Sequence, residues 1–338
     1  MTYQQKPTWI GLRVEDCLID EMVAEGSFSW IYAGNTTSGG SSRRKAFKWA
    51  KHAEFLERIG DDFREITQAK GFFTGGMRNI RPQAEKLLAW QAKKVSSVHD
   101  PALVPVELLV QKEGLSYCQM PFISGPTLRE AMLQGPVSID IFITLTEALN
   151  RLSKLESFQY HGDVKPDNII LSPSSGLKLI DPGYFGPMES VEGDFLNAAI
   201  TTTCYYPYLK PDDLLALGIC MWEAACRFHP LLRDKSMPNE RYDADGSLIS
   251  RIDLADSIKR LATLYEGVGN FCLQPLLHLR RPRLLNGAVS AELEQFLLKA
   301  VRLSIDEQER LDVGPGFASF DELLAALHDL RKNGVNAF

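Results

Sequence analysis

The sequence predicts an α+β protein in two parts, a small N-terminal part rich in antiparallel strands and a larger, mainly helical C-terminal part. Three observations lead there. Strand-like runs broken by small-residue turns dominate the first third, and helical periodicity dominates the remainder. Between them lies the connector Pro121-Phe122-Ile123-Ser124-Gly125-Pro126, whose proline and glycine content suits a boundary.

Residues 1–17 carry little pattern and read as a lead-in. From Leu18 an apolar alternation runs to Gly34 and is interrupted at Gly26-Ser27, which predicts a hairpin. The polar, Gly/Ser-rich stretch 35–44 predicts an exposed insertion, and Lys45 to Ala50 resumes as a strand with Lys48 inside it. A lysine in such a strand either faces solvent or points into a cleft to meet phosphate. Residues 51–80 start with helical spacing and turn glycine-rich, a second insertion suited to contacting a partner. Pro82 opens a helix that carries Glu85 on or beside its apolar face. Strands follow at Leu103 to Val110 and Leu115 to Met120.

The larger part spans 127–338. Helices are predicted at Thr127 to Leu133, Ile139 to Leu155, Asp213 to Phe228, Leu254 to Tyr265, Ala291 to Leu303 and Phe320 to Leu330. Asp213 to Phe228 is apolar on all sides, which marks a buried central helix. Between Gly183 and Pro211 no periodicity is evident.

Composition narrows the function. With 45% hydrophobic and 24% charged residues the chain is an ordinary globular one. The formal charge of -6 argues against a general nucleic-acid binder. No apolar run is long enough to span a bilayer and Met1 to Lys6 lacks a signal-peptide pattern, so a cytoplasmic protein without membrane insertion is expected. The scattered cysteines, with no Cys-x-x-Cys pair, read as buried thiols rather than a zinc site.

Chemistry concentrates in His161-Gly162-Asp163-Val164-Lys165-Pro166-Asp167-Asn168, followed by a short apolar run and then by Asp181-Pro182-Gly183. An acid, an amine and an amide fall within one loop, and a second carboxylate follows on the next. Together with Lys48 and Glu85, met in order along the chain, these residues resemble the protein-kinase superfamily, over roughly 18–330. The resemblance is to a divergent bacterial-type Ser/Thr protein kinase with a small β-rich N-lobe (18–120), a hinge (121–126) and a larger helical C-lobe.

That resemblance implies ATP- and Mg2+-dependent phosphoryl transfer to Ser/Thr hydroxyls of protein substrates, the enzyme itself included. Asp163 would take the acceptor proton, Lys165 would meet the transferring phosphate, and Asn168 with Asp181 would hold the metal. Lys48, fixed by an ion pair with Glu85, would hold the α- and β-phosphates. Gly26 and Phe28 would cover the phosphates, Met120 would back the adenine pocket, and the backbone of Pro121, Phe122 and Ile123 would bond the base.

Departures from the family pattern are informative. Of three glycine positions in the phosphate loop, Ala24, Gly26 and Ser29, one is glycine. Gly162 replaces the arginine that often pairs with a phosphorylated loop, so activity without that phosphorylation is expected. Pro182 replaces a phenylalanine and is expected to stiffen its loop and leave a packing position unfilled. Thr202 or Thr203 would bond Asp163 and Lys165, Asp213 would brace the catalytic loop, and Arg310 has lost its usual glutamate partner. A small-molecule kinase of the aminoglycoside or choline type is an alternative, since His-Gly-Asp opens the same loop there; Lys165-Pro166 favours the protein kinases. A nucleotide-binding pseudokinase with a regulatory role is the other, although every charged position is filled.

Overall fold

A computed structural model describes residues 9–25, 29–36, 43–50, 84–107, 110–112, 115–189, 195–200, 205–206, 210–227, 281–307 and 311–338. The chain divides into two units, with the change from one to the other between Ile123 and Ser124.

The first unit is a six-stranded antiparallel sheet in the order β1-β2-β3-β4-β6-β5. Its strands are β1 (Arg13–Val14), β2 (Cys17–Glu25), β3 (Ser29–Thr36), β4 (Arg44–Ala50), β5 (Val110–Lys112) and β6 (Leu115–Pro121). Alternation sorts β4 between two faces. Phe47 and Trp49 join Trp30, Tyr32 and Tyr117 in a buried aromatic cluster. Lys48 and Ala50 point the other way, and there Ala50 and Cys118 meet Leu88 of helix α1 (Ala84–Ser96). Because both faces are covered, β4 shows no polar side even though a lysine sits at its centre.

Leu103 to Val110 is not one strand. Among the described residues Val110 belongs to the strand that runs on to Lys112, Leu103 sits in an isolated bridge, and 104–107 runs irregularly, tied to β6 by the Glu107 N–H to the Gln119 carbonyl at 2.8 Å. Pro105 has no N–H for a ladder.

The second unit opens with α2 (Leu128–Gln134), started by a capping box between Thr127 and Glu130. Helix α3 (Ile139–Ser153) buries Phe142, Leu145, Leu149 and Leu152 and leads to the loop at His161. A single 3-10 turn, Pro166–Asn168, precedes the hairpin β7 (Ile169–Ser172) and β8 (Gly176–Leu179). The unpatterned stretch after Gly183 contains another antiparallel hairpin, β9 (Tyr184–Glu189) with β10 (Phe195–Ile200), which the sequence did not signal.

Helix α4 (Asp213–Cys226) is buried on nearly every side. At Gly218 a Cβ would stand 2.2 Å from the carbonyl oxygen of Ala300, so only glycine lets α4 approach α6 (Ala291–Ala300) this closely. The short α5 (Pro282–Leu285), the ladder β11 (Leu303–Ile305) with β12 (Leu311–Val313) and α7 (Phe320–Lys332) complete the unit. The helix predicted to reach Leu303 ends at Ala300, and Arg302 follows at φ 61°. Residues 37–42 of the insertion predicted at 35–44, the whole of the insertion predicted at 51–80 and the helix predicted at Leu254 to Tyr265 lie outside the described residues. Cys17, Cys118, Cys220 and Cys226 are buried. No helix among the described residues is long and apolar enough to cross a membrane.

Candidate active site

In the first unit Lys48 is 7% exposed and its Nζ donates to Gln91 Oε1 at 3.1 Å. Glu85, expected to be the lysine's partner, lies exposed in the first turn of α1. The correction follows from helix phase. Leu87, Leu88, Ala92 and Val95 define the buried face, and at about 100° per residue Gln91 falls beside its centre while Glu85 lies about 120° round the helix from Gln91. A neutral amide, that of Gln91, meets the buried ammonium from α1.

Met120 is half-buried and pairs with Ala46 across β4 and β6. The Phe122 N–H donates to the Arg44 carbonyl at 3.1 Å and so is committed within the unit. Proline 121 has no N–H. Arg44 stands 5.0 Å from the Phe122 ring centre and pairs with Asp20 at 3.0 Å and with Glu21. Gly26 and Phe28 lie outside the described residues, as do Thr202, Thr203 and Arg310. Asp212, which caps α4, instead pairs with Arg302 at 2.5 Å.

In the second unit the predicted loop closes round one carboxylate. Asp163 Oδ2 accepts from Asn168 Nδ2 at 2.8 Å and stands 3.3 Å from Lys165 Nζ. The same amide nitrogen donates to the Asp163 carbonyl at 2.9 Å and lies 3.4 Å from the Asp181 carbonyl. With that nitrogen committed, Asn168 Oδ1 is left for other work. Asp181 adopts φ 56°, and the Gly183 N–H donates to the His161 carbonyl at 2.9 Å, which joins the two loops. Asp163, Lys165 and Asn168 thus lie together, with the backbone carbonyl of Asp181 at the same amide.

Gly162 sits at φ 81°. A Cβ there would stand 3.1 Å from the Phe185 ring and 3.2 Å from both the Gly183 carbonyl and the Tyr160 ring. Pro182 is itself buried, and Phe185, just beyond it, supplies aromatic packing, with its ring 5.7 Å from Tyr160 and 5.9 Å from Tyr206. Asp213 braces the loop by accepting the His161 N–H at 2.6 Å and the Gly162 N–H at 2.9 Å.

A buried ionic group that the sequence reading missed ties α2, the loop and α4 together. Arg129 donates to both oxygens of Asp167 at 3.0 and 3.1 Å, to Glu223 at 2.8 Å and to the Tyr205 hydroxyl at 2.9 Å. Tyr205 in turn donates to Glu223 at 2.6 Å. Burial opposes the charge on Arg129, yet Glu223, Tyr205 and Asp167 outweigh it and hold the guanidinium protonated. Burial also raises Asp167, but Arg129 and Lys165 outweigh it and keep this carboxyl below its usual range. For Glu223 burial dominates and the carboxyl is raised, despite Arg129 and Tyr205. The nearest sequence cue was the acidic residue inside an otherwise apolar helix.

No family model matches the chain. A Clostridium perfringens protein named as a probable serine/threonine-protein kinase is 23% identical over 210 residues, covering 53% of this chain and 30% of that protein. Serine/threonine-protein kinase PrkC of Bacillus subtilis is 25% identical over 150 residues, 39% of this chain and 22% of PrkC. The chain thus spans under a third of the length of these curated relatives. Among solved structures, the PknI kinase domain of M. tuberculosis is 14% identical with a TM-score of 0.47, covering 96% of this chain and all of that one. The order of the loop motifs and the geometry round Asp163 thus accompany sequence similarity to bacterial Ser/Thr protein kinases.

Proposed function

We propose that the protein transfers the γ-phosphoryl group of ATP, with Mg2+, to Ser/Thr hydroxyls of protein substrates, itself included. The observation that carries this is the Asp163 carboxylate, 13% exposed, held by Asn168 and Lys165. Asp163 accepts the proton of the acceptor hydroxyl as its oxygen bonds to phosphorus, and the bond to the ADP oxygen breaks. Lys165 offsets charge on the transferring group. The loose transition state of such transfers asks the protein for position and positive charge more than for covalent chemistry.

Asn168 Oδ1 and the Asp181 carboxylate are hard oxygen donors of the kind Mg2+ takes alongside water and phosphate, so the residues present fit the ion. When bound, the ion neutralises phosphate charge. Lys48 contacts the α- and β-phosphates, oriented by Gln91, and Gly26 with Phe28 covers them. Met120 backs the adenine, and the Pro121 carbonyl and Ile123 N–H bond its edge.

The test is incubation with Mg-ATP and a panel of acceptors, namely the protein itself, casein, choline and kanamycin, with products mapped by mass spectrometry. Phosphoserine or phosphothreonine is the expected product. Phosphate found only on choline or kanamycin would move the protein to the small-molecule kinases.

A further inference from the structure

The backbone around Asp163 is held by a stretch of chain with no part in the proposed chemistry. Tyr206 is 1% exposed, and its hydroxyl accepts the Val164 N–H at 2.7 Å and donates to Asp213 Oδ1 at 2.6 Å. Asp213 accepts the amides of His161 and Gly162, and the Asp163 amide donates to His161 Nδ1 at 3.3 Å. All four consecutive N–H groups from His161 to Val164 are therefore committed, two to Asp213, one to Tyr206 and one within the loop.

The adjacent Tyr205 reaches a different part of the same helix, at Glu223. Ten residues of α-helix separate Asp213 from Glu223, about 15 Å along the axis. Two neighbouring hydroxyls thus fasten one segment to both ends of α4. Aromatic contact completes the arrangement, with Phe185 between Tyr206 and Tyr160 and against the bare Cα of Gly162.

We infer that Tyr206 is a positioning residue that sets the loop of Asp163 through hydrogen bonds that involve no phosphate, so that the catalytic loop is assembled in the unphosphorylated protein. This rests on the reading of Asp163 as the proton acceptor. Geometry carries the inference: a buried phenol bridges the loop backbone to its bracing carboxylate, at the point where Gly162 offers no cation for a phosphate. Loss of one such bond leaves the Val164 N–H buried without its acceptor.

The test combines amide hydrogen exchange with steady-state kinetics on wild type, phosphatase-treated wild type and Tyr206→Phe, which keeps the ring and its contact with Phe185. Exchange in peptides spanning His161 to Val164 is expected to be slow in wild type, treated or not, and about tenfold faster in Tyr206→Phe. The turnover number is expected to fall about tenfold in the variant with KM for ATP unchanged, and to survive phosphatase treatment. Wild-type exchange and turnover in Tyr206→Phe would overturn the inference, as would loss of turnover after phosphatase treatment. Unprotected His161 to Val164 amides in wild type would overturn it even if the variant does not fold. Absence of transfer by wild type, with the exchange difference present, would count against the proposed activity and leave the clamp standing.

Discussion

The ammonium of Lys48 donates to the side-chain oxygen of Gln91 at 3.1 Å, so a buried cation is oriented by a neutral amide. An amide offers direction to the ammonium without adding a charge of its own. Gln91→Leu should raise KM for ATP about tenfold, the scale of one hydrogen bond to a charged group. Gln91→Glu should keep the bond, whereas Glu85→Ala should leave KM unchanged. Nucleotide titration of the three variants checks this, and a larger effect from Glu85→Ala than from Gln91→Leu would restore the ion pair first expected.

Gly162 combines a left-handed backbone with neighbours that crowd a Cβ. Gly162→Ala should cost roughly 1–2 kcal/mol from the backbone conformation, and somewhat more where Phe185 cannot yield. Urea denaturation measures it. An equally stable alanine variant would mean that the aromatic packing at this point is loose.

Arg129 and Glu223 form a buried pair, with Glu223 at 0% exposure. Removing one partner strands the other charge, so Arg129→Met should destabilise by about 3–5 kcal/mol. The double variant Arg129→Met/Glu223→Leu should recover a substantial part, because no lone charge then stays buried. A strictly additive double-variant cycle would show that the two do not interact.

Asp167 gives the same group a pH dependence. Its carboxyl is held below the usual range in the folded protein, chiefly by Arg129 against the opposing effect of burial. An acid whose folded pKa is depressed adds stability above its unfolded pKa of about 3.9, and that stability is lost as pH falls through the folded value. Glu223, raised by burial, acts in the opposite sense. Asp167→Asn should therefore flatten the stability profile below about pH 4, and Glu223→Gln should remove the fall in stability that the raised carboxyl contributes as pH rises above its unfolded pKa of about 4.3. Urea unfolding at a series of pH values reads both slopes.

What the sequence made legible was local chemistry and strong periodicity. His161 to Asn168 and Asp181 stand out because acid, amine and amide recur at short spacing, and of these the structure brings Asp163, Lys165 and Asn168 within hydrogen-bond reach. The helix at Asp213 stands out because it is apolar all round. Gln91 was hidden because a helix's phase relative to a strand is set by packing, here Leu88 against Ala50 and Cys118, while a carboxylate such as Glu85 attracts notice by charge alone. Tyr206 and Arg129 were hidden for a related reason. Their partners lie 7 to 94 residues away, and nothing in the local pattern distinguishes them from ordinary surface or core residues. The β9–β10 hairpin contains Gly186 and Pro187, which break the alternation that would have announced it.

The central measurement is phosphate transfer from Mg-ATP by wild type and by Asp163→Ala at matched nucleotide occupancy, with binding followed separately by titration. The geometry at Asp163 predicts phosphate incorporation into Ser or Thr of a protein by wild type, and at least a hundredfold slower transfer by the variant, the lower range for a lost general base. Nucleotide affinity should be unchanged. Equal transfer by the two proteins, or none by wild type with nucleotide bound, would contradict it.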